Sequence, residues 1–299
     1  MKNLILALGL TTALTGVAGA QEITEFNVGV LGGENAQDRA SSNECYRAKI
    51  EEALGVPVKM FTPADYDGVI QGLLGGTLDL AWLGASGYAK AYLTDPEAVE
   101  VALTKQNADG STGYYSFAFA RADSGITSIE DAKGKVFAFG DPNSTSGYLV
   151  PGAELTETYG PLNEYFGEVK FSGGHEQTIV GVANGDFVAG VSWADGLGNW
   201  EDGYNSGAFR KAADAGLVDM NDLVELWKSK LIPEGPMVVR AALPQDVKDK
   251  VTALTADLHE TDKDCAYGVA AGEAKDFIPV TLDAYTGIIE ARKLQDASN

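Results

Sequence analysis

Side chains that bind metals are scarce in this sequence. Its 299 residues include two cysteines, Cys45 and Cys265, and two histidines, His175 and His259, with no spacing that suits a metal. Bases are scarce too: 22 Lys and Arg stand against 43 Asp and Glu, for a formal charge of −21. So acidic a chain lacks the basic footprint that nucleic-acid phosphates require and that anionic membrane surfaces attract. Both Gly-rich nucleotide fingerprints, Gly-x-Gly-x-x-Gly and the Walker loop, are missing. Beyond residue 20 no apolar run reaches the length of a membrane span, and there are no repeats, low-complexity tracts or Gly-Ser linkers. An anionic small ligand would therefore be held by local dipoles and hydrogen bonds, against the overall field.

What is present points to an exported, two-part globule. Hydrophobic residues make up 45% of the chain, enough to build a core, and the length suits two lobes or one large domain. Lys2, an apolar stretch at 4–14 and the small-x-small run Ala18-Gly19-Ala20 read as a cleaved signal peptide over residues 1–20. No cysteine lies near the cleavage region to take a lipid anchor. In an oxidising compartment, Cys45 and Cys265 are expected to form one disulfide; two separate buried thiols are the alternative.

Short apolar runs alternate with helix-period segments. Strands are expected at 26–31, 56–61, 78–83 and 114–121, then at 135–139, 169–171, 187–193, 223–227 and 237–241. Helices are expected at 38–54, after an Asp65 cap, at 86–93, beyond Gly147, at 175–184, at 244–259, around Cys265 and at 281–294. The alternation implies α/β architecture with mainly parallel sheets covered on both faces. Two such series predict two lobes, joined by crossing strands near 115–121 and 232–240. The C-terminal helices would then return to the first lobe and bring Cys265 towards Cys45.

One segment carries chemistry. Asp141-Pro142-Asn143-Ser144-Thr145-Ser146-Gly147 follows the apolar run Val136-Phe137-Ala138-Phe139 and precedes a helix-compatible stretch. Three consecutive hydroxyls at a helix start stand beside backbone N–H groups that lack intrahelical partners, which suits a tetrahedral oxyanion. An ordinary N-cap followed by a turn has the same composition, so the residues alone leave both readings open.

That segment, continued by Tyr148-Leu149-Val150-Pro151-Gly152, closely resembles the phosphonate-binding proteins of bacterial ABC importers. Further matches follow in the family's order: Ala64-Asp65-Tyr66 with Gly68-Val69-Ile70-Gln71-Gly72, Asp79-Leu80-Ala81-Trp82, and Ala108-Asp109-Gly110-Ser111-Thr112-Gly113-Tyr114. Gly174-His175-Glu176 and Trp227-Lys228-Ser229 with Leu231-Ile232-Pro233 complete the set. Together they span nearly the whole chain beyond the signal.

The resemblance implies a two-lobed periplasmic-binding-protein clamp of type II-like form. Each lobe would be a mixed sheet flanked by helices, with hinge strands between, residues 21–118 plus 238–299 forming one lobe and 119–237 the other. It implies a periplasmic, monomeric, non-catalytic protein that takes a phosphonate, phosphite or phosphate and delivers it to a membrane permease, with no cofactor, metal or nucleic acid. Carried over by position, the ligand-binding residues are Tyr66 and Tyr114 from the first-lobe side and Ser144, Thr145, Ser146 and His175 from the second, with Asp195 facing the ligand's organic arm. Some relatives that take an aminoalkyl phosphonate carry a second acid two residues past the Leu-Ile-Pro proline. Here that position is Gly235, which weakens the case for an aminoalkyl ligand unless the neighbouring Glu234 swings into the gap. Trp82, Trp193 and Trp200 are possible cleft aromatics and are not counted as site residues. The alternatives are a periplasmic hydrolase using Ser144 and His175, oriented by Asp141 or Asp195, and a ligand sensor that docks on a receptor. A Gly-x-Ser-x-Gly elbow is missing.

Overall fold

The structure, a computed structural model, describes residues 23–31 and 41–298. The expected signal at 1–20 and the start of the helix expected at 38–54 lie outside these residues. The described strands are β1 (Phe26–Gly29), β2 (Val58–Phe61), β3 (Leu80–Trp82), β4 (Val99–Gln106), β5 (Gly113–Arg121), β6 (Val136–Phe139), β7 (Glu168–Phe171), β8 (Ala189–Ala194), β9 (Leu223–Lys228), β10 (Ile232–Pro233), β11 (Pro236–Arg240) and β12 (Asp276–Pro279). They form two six-stranded sheets. The first runs β12-β4-β11-β3-β1-β2; the second runs β10-β5-β8-β6-β7, with β9 also paired to β5.

Both sheets are mixed, which corrects the mainly parallel expectation drawn from alternation and agrees with the mixed sheets implied by the resemblance. β1 pairs parallel with β2 and β3, and β6 with β7 and β8, as βα units require. The antiparallel members are the crossing strands. β11 lies between β3 and β4, and β5 lies between β8 and the β9–β10 edge. β4 and β12 were not expected from sequence, and both enter by antiparallel pairing at one end of the first sheet. β5 belongs wholly to the second sheet and β11 wholly to the first. The chain thus passes between sheets at 107–112, ahead of the stretch expected near 115–121, and at 234–235, within the stretch expected near 232–240.

The helices cover both faces of each sheet. They are α1 (Glu44–Leu54), α2 (Tyr66–Leu74), α3 (Ala85–Thr94), α4 (Val150–Tyr159), α5 (Leu162–Tyr165), α6 (His175–Asn184), α7 (Ala208–Asp214), α8 (Gln245–Ala256), α9 (Leu258–Thr261), α10 (Lys263–Ala270) and α11 (Thr286–Ser298). α2 shows why they form. Asp65 caps it by accepting the Gly68 N–H at 2.9 Å, and Val69, Ile70 and Leu73 make one fully buried face. Burying each such side chain contributes about 1.5–3 kcal/mol. On one side of the first sheet, Tyr46 and Ile50 of α1 pack with Val247 and Val251 of α8; on the other, α2, α3 and α11 share a second cluster. The second sheet is likewise covered by Ile179, Val182 and Phe209 on one side and by Leu155 and Phe166 on the other.

The C-terminal helices do return to the first sheet. Cys45 at the start of α1 is bonded to Cys265 in α10, 220 residues away, with Cα atoms 5.8 Å apart. Among the described residues no helix is long and apolar enough to cross a membrane.

Candidate ligand-binding cleft

A cavity of about 190 Å³ opens between the two sheets. From the second-sheet side it is lined by Tyr114, Ser144, Thr145, Ser146, His175 and Trp193, and from the first-sheet side by Tyr66, Trp82, Gly84 and Lys105. Six of the seven residues expected to contact ligand are thus brought to one cavity, though they come from four separate stretches of chain.

The hydroxyl run is shaped by a proline. Residues Thr145–Leu149 form a π-helical turn that continues into α4. Pro151 has no N–H to offer the carbonyls of the preceding turn. Those carbonyls take other donors: Gly147 O accepts the Gly140 N–H at 2.9 Å, and Ser146 O accepts the Ser116 hydroxyl at 2.7 Å. The turn is therefore sewn to strand β5 and to the residue just after β6, and its amino end faces the cavity. Ser144 Oγ accepts the Gly147 N–H at 2.9 Å, and helix geometry leaves the N–H groups of Thr145 and Ser146 without an intrahelical partner.

A second helix start converges on the same place. The Ser86 N–H, in the first turn of α3, donates to Thr145 Oγ1 at 2.8 Å across the cleft. Gly84 makes this approach possible, because a Cβ there would sit 2.9 Å from Thr145 Oγ1. Behind the contact, Arg292 of α11 reaches Asn143 Oδ1 at 3.1 Å and Ser86 Oγ at 3.3 Å, touching both sides. Asp141 accepts the Asn143 N–H at 2.7 Å and also the N–H of Tyr66, and its burial pushes its carboxyl above the ordinary carboxylate range.

His175 is the first residue of α6. Its Nε2 lies 3.1 Å from Ser144 Oγ and its Nδ1 lies 3.3 Å from Ser192 Oγ. In the neutral tautomer whose Nδ1 accepts from Ser192, Nε2–H would donate to Ser144 and leave the Ser144 proton to point outward. The Tyr114 hydroxyl faces the side chains of Ser146 and Thr145, and its burial, with Glu234 and Tyr66 nearby, raises its pKa strongly, so it stays a neutral donor. The neighbouring Tyr115 is only half-buried, with Lys228 Nζ 3.7 Å from the centroid of its ring.

The other end of the cavity is charged. Lys105 Nζ forms a buried ion pair with Glu234 Oε1 at 2.9 Å and donates to Ser206 Oγ at 3.0 Å. Ser206 in turn donates to Asp195 Oδ2 at 3.0 Å, and Asp195 Oδ1 accepts the Leu197 N–H at 3.1 Å. Asp195 therefore sits behind Ser206 and is not among the residues lining the cavity, unlike its expected placement facing the organic arm. Gly235 packs so closely that a Cβ would lie 2.0 Å from the Leu83 carbonyl oxygen, and the neighbouring Glu234 is the side chain that turns into the cleft. Burial raises the Glu234 carboxyl, an effect that the Lys105 ammonium opposes. Sequence reasoning missed Lys105 and Ser206. The available signal was a lysine two residues after buried Leu103, hence on the same inward face of a strand. Trp82 and Trp193 line the cavity, whereas Trp200 packs in the second sheet's core. No group of three or more His, Cys, Asp or Glu able to hold a metal occurs among the described residues.

Comparison with known proteins agrees with this geometry. The sequence profile of the ABC-transporter phosphonate periplasmic substrate-binding proteins matches residues 28–285. The chain is 31% identical to the phosphonates-binding periplasmic protein of Escherichia coli over 248 residues, which is 81% of this chain and 68% of that one. It is 29% identical to the phosphate-import protein PhnD of Mycolicibacterium smegmatis, over 75% of this chain and 68% of that one. Among solved structures, a binding component of a phosphonate ABC transporter from Pseudomonas aeruginosa superposes with a TM-score of 0.78 at 26% identity, covering 92% of this chain and 88% of its own. PhnD1 from Prochlorococcus marinus in complex with methylphosphonate shares the fold, with a TM-score of 0.74 at 20% identity over 91% and 98% of the two chains. With its two mixed α/β sheets and the cleft between them, the chain belongs to the phosphonate-type periplasmic substrate-binding proteins of ABC transporters.

Proposed function

We propose that this protein captures a phosphonate, or a related phosphorus oxyanion such as phosphite or phosphate, in the cavity between its sheets and passes it to a membrane permease. Residues 23–31, 41–106 and 236–298 make one lobe of the clamp and 113–233 the other. The expected signal peptide would place it in the periplasm. The hydroxyls of Ser144, Thr145, Ser146, Tyr66 and Tyr114, with the free N–H groups of the π-turn, would surround the phosphorus group, and His175 would hold the Ser144 proton turned towards it. Neutral donors suffice for an anion when water is excluded and every oxygen is satisfied, which reconciles an anionic ligand with a chain of charge −21.

The observation that carries this reading is the convergence of two helix starts and the hydroxyl run on one cavity. Ser144 and His175 lie at a nucleophile–base distance, but His175 Nδ1 faces the hydroxyl of Ser192 where a hydrolase would place an orienting carboxylate. Asp141 and Asp195 are engaged elsewhere. Capture without turnover is thus the better fit, in keeping with relatives that are transport proteins. Calorimetry with methylphosphonate, phosphite and phosphate tests it: saturable one-to-one binding of at least one is expected, with the compound recovered unaltered. Failure of all three to bind would refute it.

A further inference from the structure

We infer that Lys105 is a built-in cation that fixes the ligand class: the cleft takes phosphorus anions with neutral or anionic substituents and rejects aminoalkyl ones. The inference rests on the capture reading above. Lys105 projects from β4 into the cavity that holds the hydroxyl cluster, and its ammonium lies 5.6 Å from the centroid of the Trp193 ring. The same indole has the Tyr114 ring at 5.3 Å and the His175 ring at 6.3 Å. The lysine is thus one aromatic ring away from the donors assigned to the phosphorus group, where a short substituent would extend.

The acids that a ligand ammonium would seek are already engaged. Glu234 Oε1 holds Lys105 at 2.9 Å, while both oxygens of Asp195 are taken, by Ser206 Oγ and by the Leu197 N–H. Lys105 and Glu234 are each under a tenth exposed, so the pair is shielded from solvent screening. An incoming ammonium would have to displace a tethered one or sit beside it as a like charge. A methyl group would make no such demand, and a carboxylate would gain a partner. No acid can be supplied from Gly235, because backbone occupies the space a side chain would need.

Calorimetry on the intact protein with methylphosphonate, phosphonoacetate and 2-aminoethylphosphonate tests this, with Lys105→Met and Lys105→Met/Glu234→Gln as variants. In the wild type the amine should bind at least tenfold more weakly than the other two. In Lys105→Met, which opens Glu234 to a ligand cation, the ratio of amine to methyl affinity should rise at least tenfold. In the double variant, which loses both charges and keeps the fold if the single variant does not, the ratio should fall between those values. A wild type that prefers the amine overturns the inference while leaving capture intact. So does a Lys105→Met variant in which all three affinities move by one common factor, since that would place the lysine on the phosphorus group itself. Absence of binding by every compound to the wild type would instead overturn the capture reading.

Discussion

The two ends of the cleft solve opposite electrostatic problems. One end is built from hydroxyls, backbone N–H groups and an imidazole held between two serines; it offers many protons and little charge. The other is built from full charges: Lys105 pairs with Glu234, and Ser206 links the same ammonium to Asp195. A neutral end can accept an anion without a permanent cation that would be left unpaired in the empty state. An end whose ammonium is tethered to an acid can discriminate ligands by charge. On the proposed reading, strength and selectivity are encoded at separate ends of the cleft.

The most damaging way to break the contrast is to unbalance the charged end. Glu234→Ala would leave the Lys105 ammonium in a dry site without its acid, and urea unfolding should show a loss of about 3–5 kcal/mol. A loss under 1 kcal/mol would mean that the pair is wet in solution. Next in size is Gly235→Ala, whose Cβ would meet the Leu83 carbonyl oxygen at 2.0 Å. Overpacking should cost about 1–3 kcal/mol in the same assay, and an unaffected variant would show that the 234–235 crossing is loose.

At the neutral end, Ser144→Ala and His175→Ala should each weaken methylphosphonate binding by about 1–3 kcal/mol, near tenfold to a hundredfold, by calorimetry. Thr145→Ala should fall in the same range and also loosen the Ser86 contact across the cleft. Unchanged affinity in all three would remove this end as the anion seat. The smallest effect concerns Asp141, which is acted on by Asp65 and Lys90 as well as by its N–H partners. Burial raises its folded-state pKa above the unfolded value. The unfolded chain therefore ionises first as pH climbs, and this residue lowers stability as pH rises through the ordinary carboxylate range and up to the raised value. In melts across that window, Asp141→Asn should lose less stability with rising pH than the wild type. A steeper loss in the variant would reverse the sign.

The neutral end was readable in the sequence because its key residues are adjacent. Ser144, Thr145 and Ser146 follow a strand and precede a helix, so local capping chemistry already flags them. The charged end was not, because its members sit at 105, 195, 206 and 234 and meet only through sheet topology. β4, which carries Lys105, has charges at Glu100 and Lys105 that mask its apolar positions, and a register shift opposite Met237 and Val238 spoils its alternation. β12 is four residues long and ends in proline, so nothing local marks it. The π-helical turn was likewise out of reach, since it depends on carbonyls released by Pro151 finding donors on β5 and just past the end of β6.

The Cys45–Cys265 bond has a consequence for biogenesis. A chain that emerges amino end first presents a solitary thiol for as long as the next 220 residues take to appear. With no third cysteine in the sequence, scrambled intramolecular pairings do not exist, and the oxidant's only possible error is to join two molecules. Closure of the bond then reports that α10 has emerged and packed against α1, while β12 and α11 are still to follow in the chain.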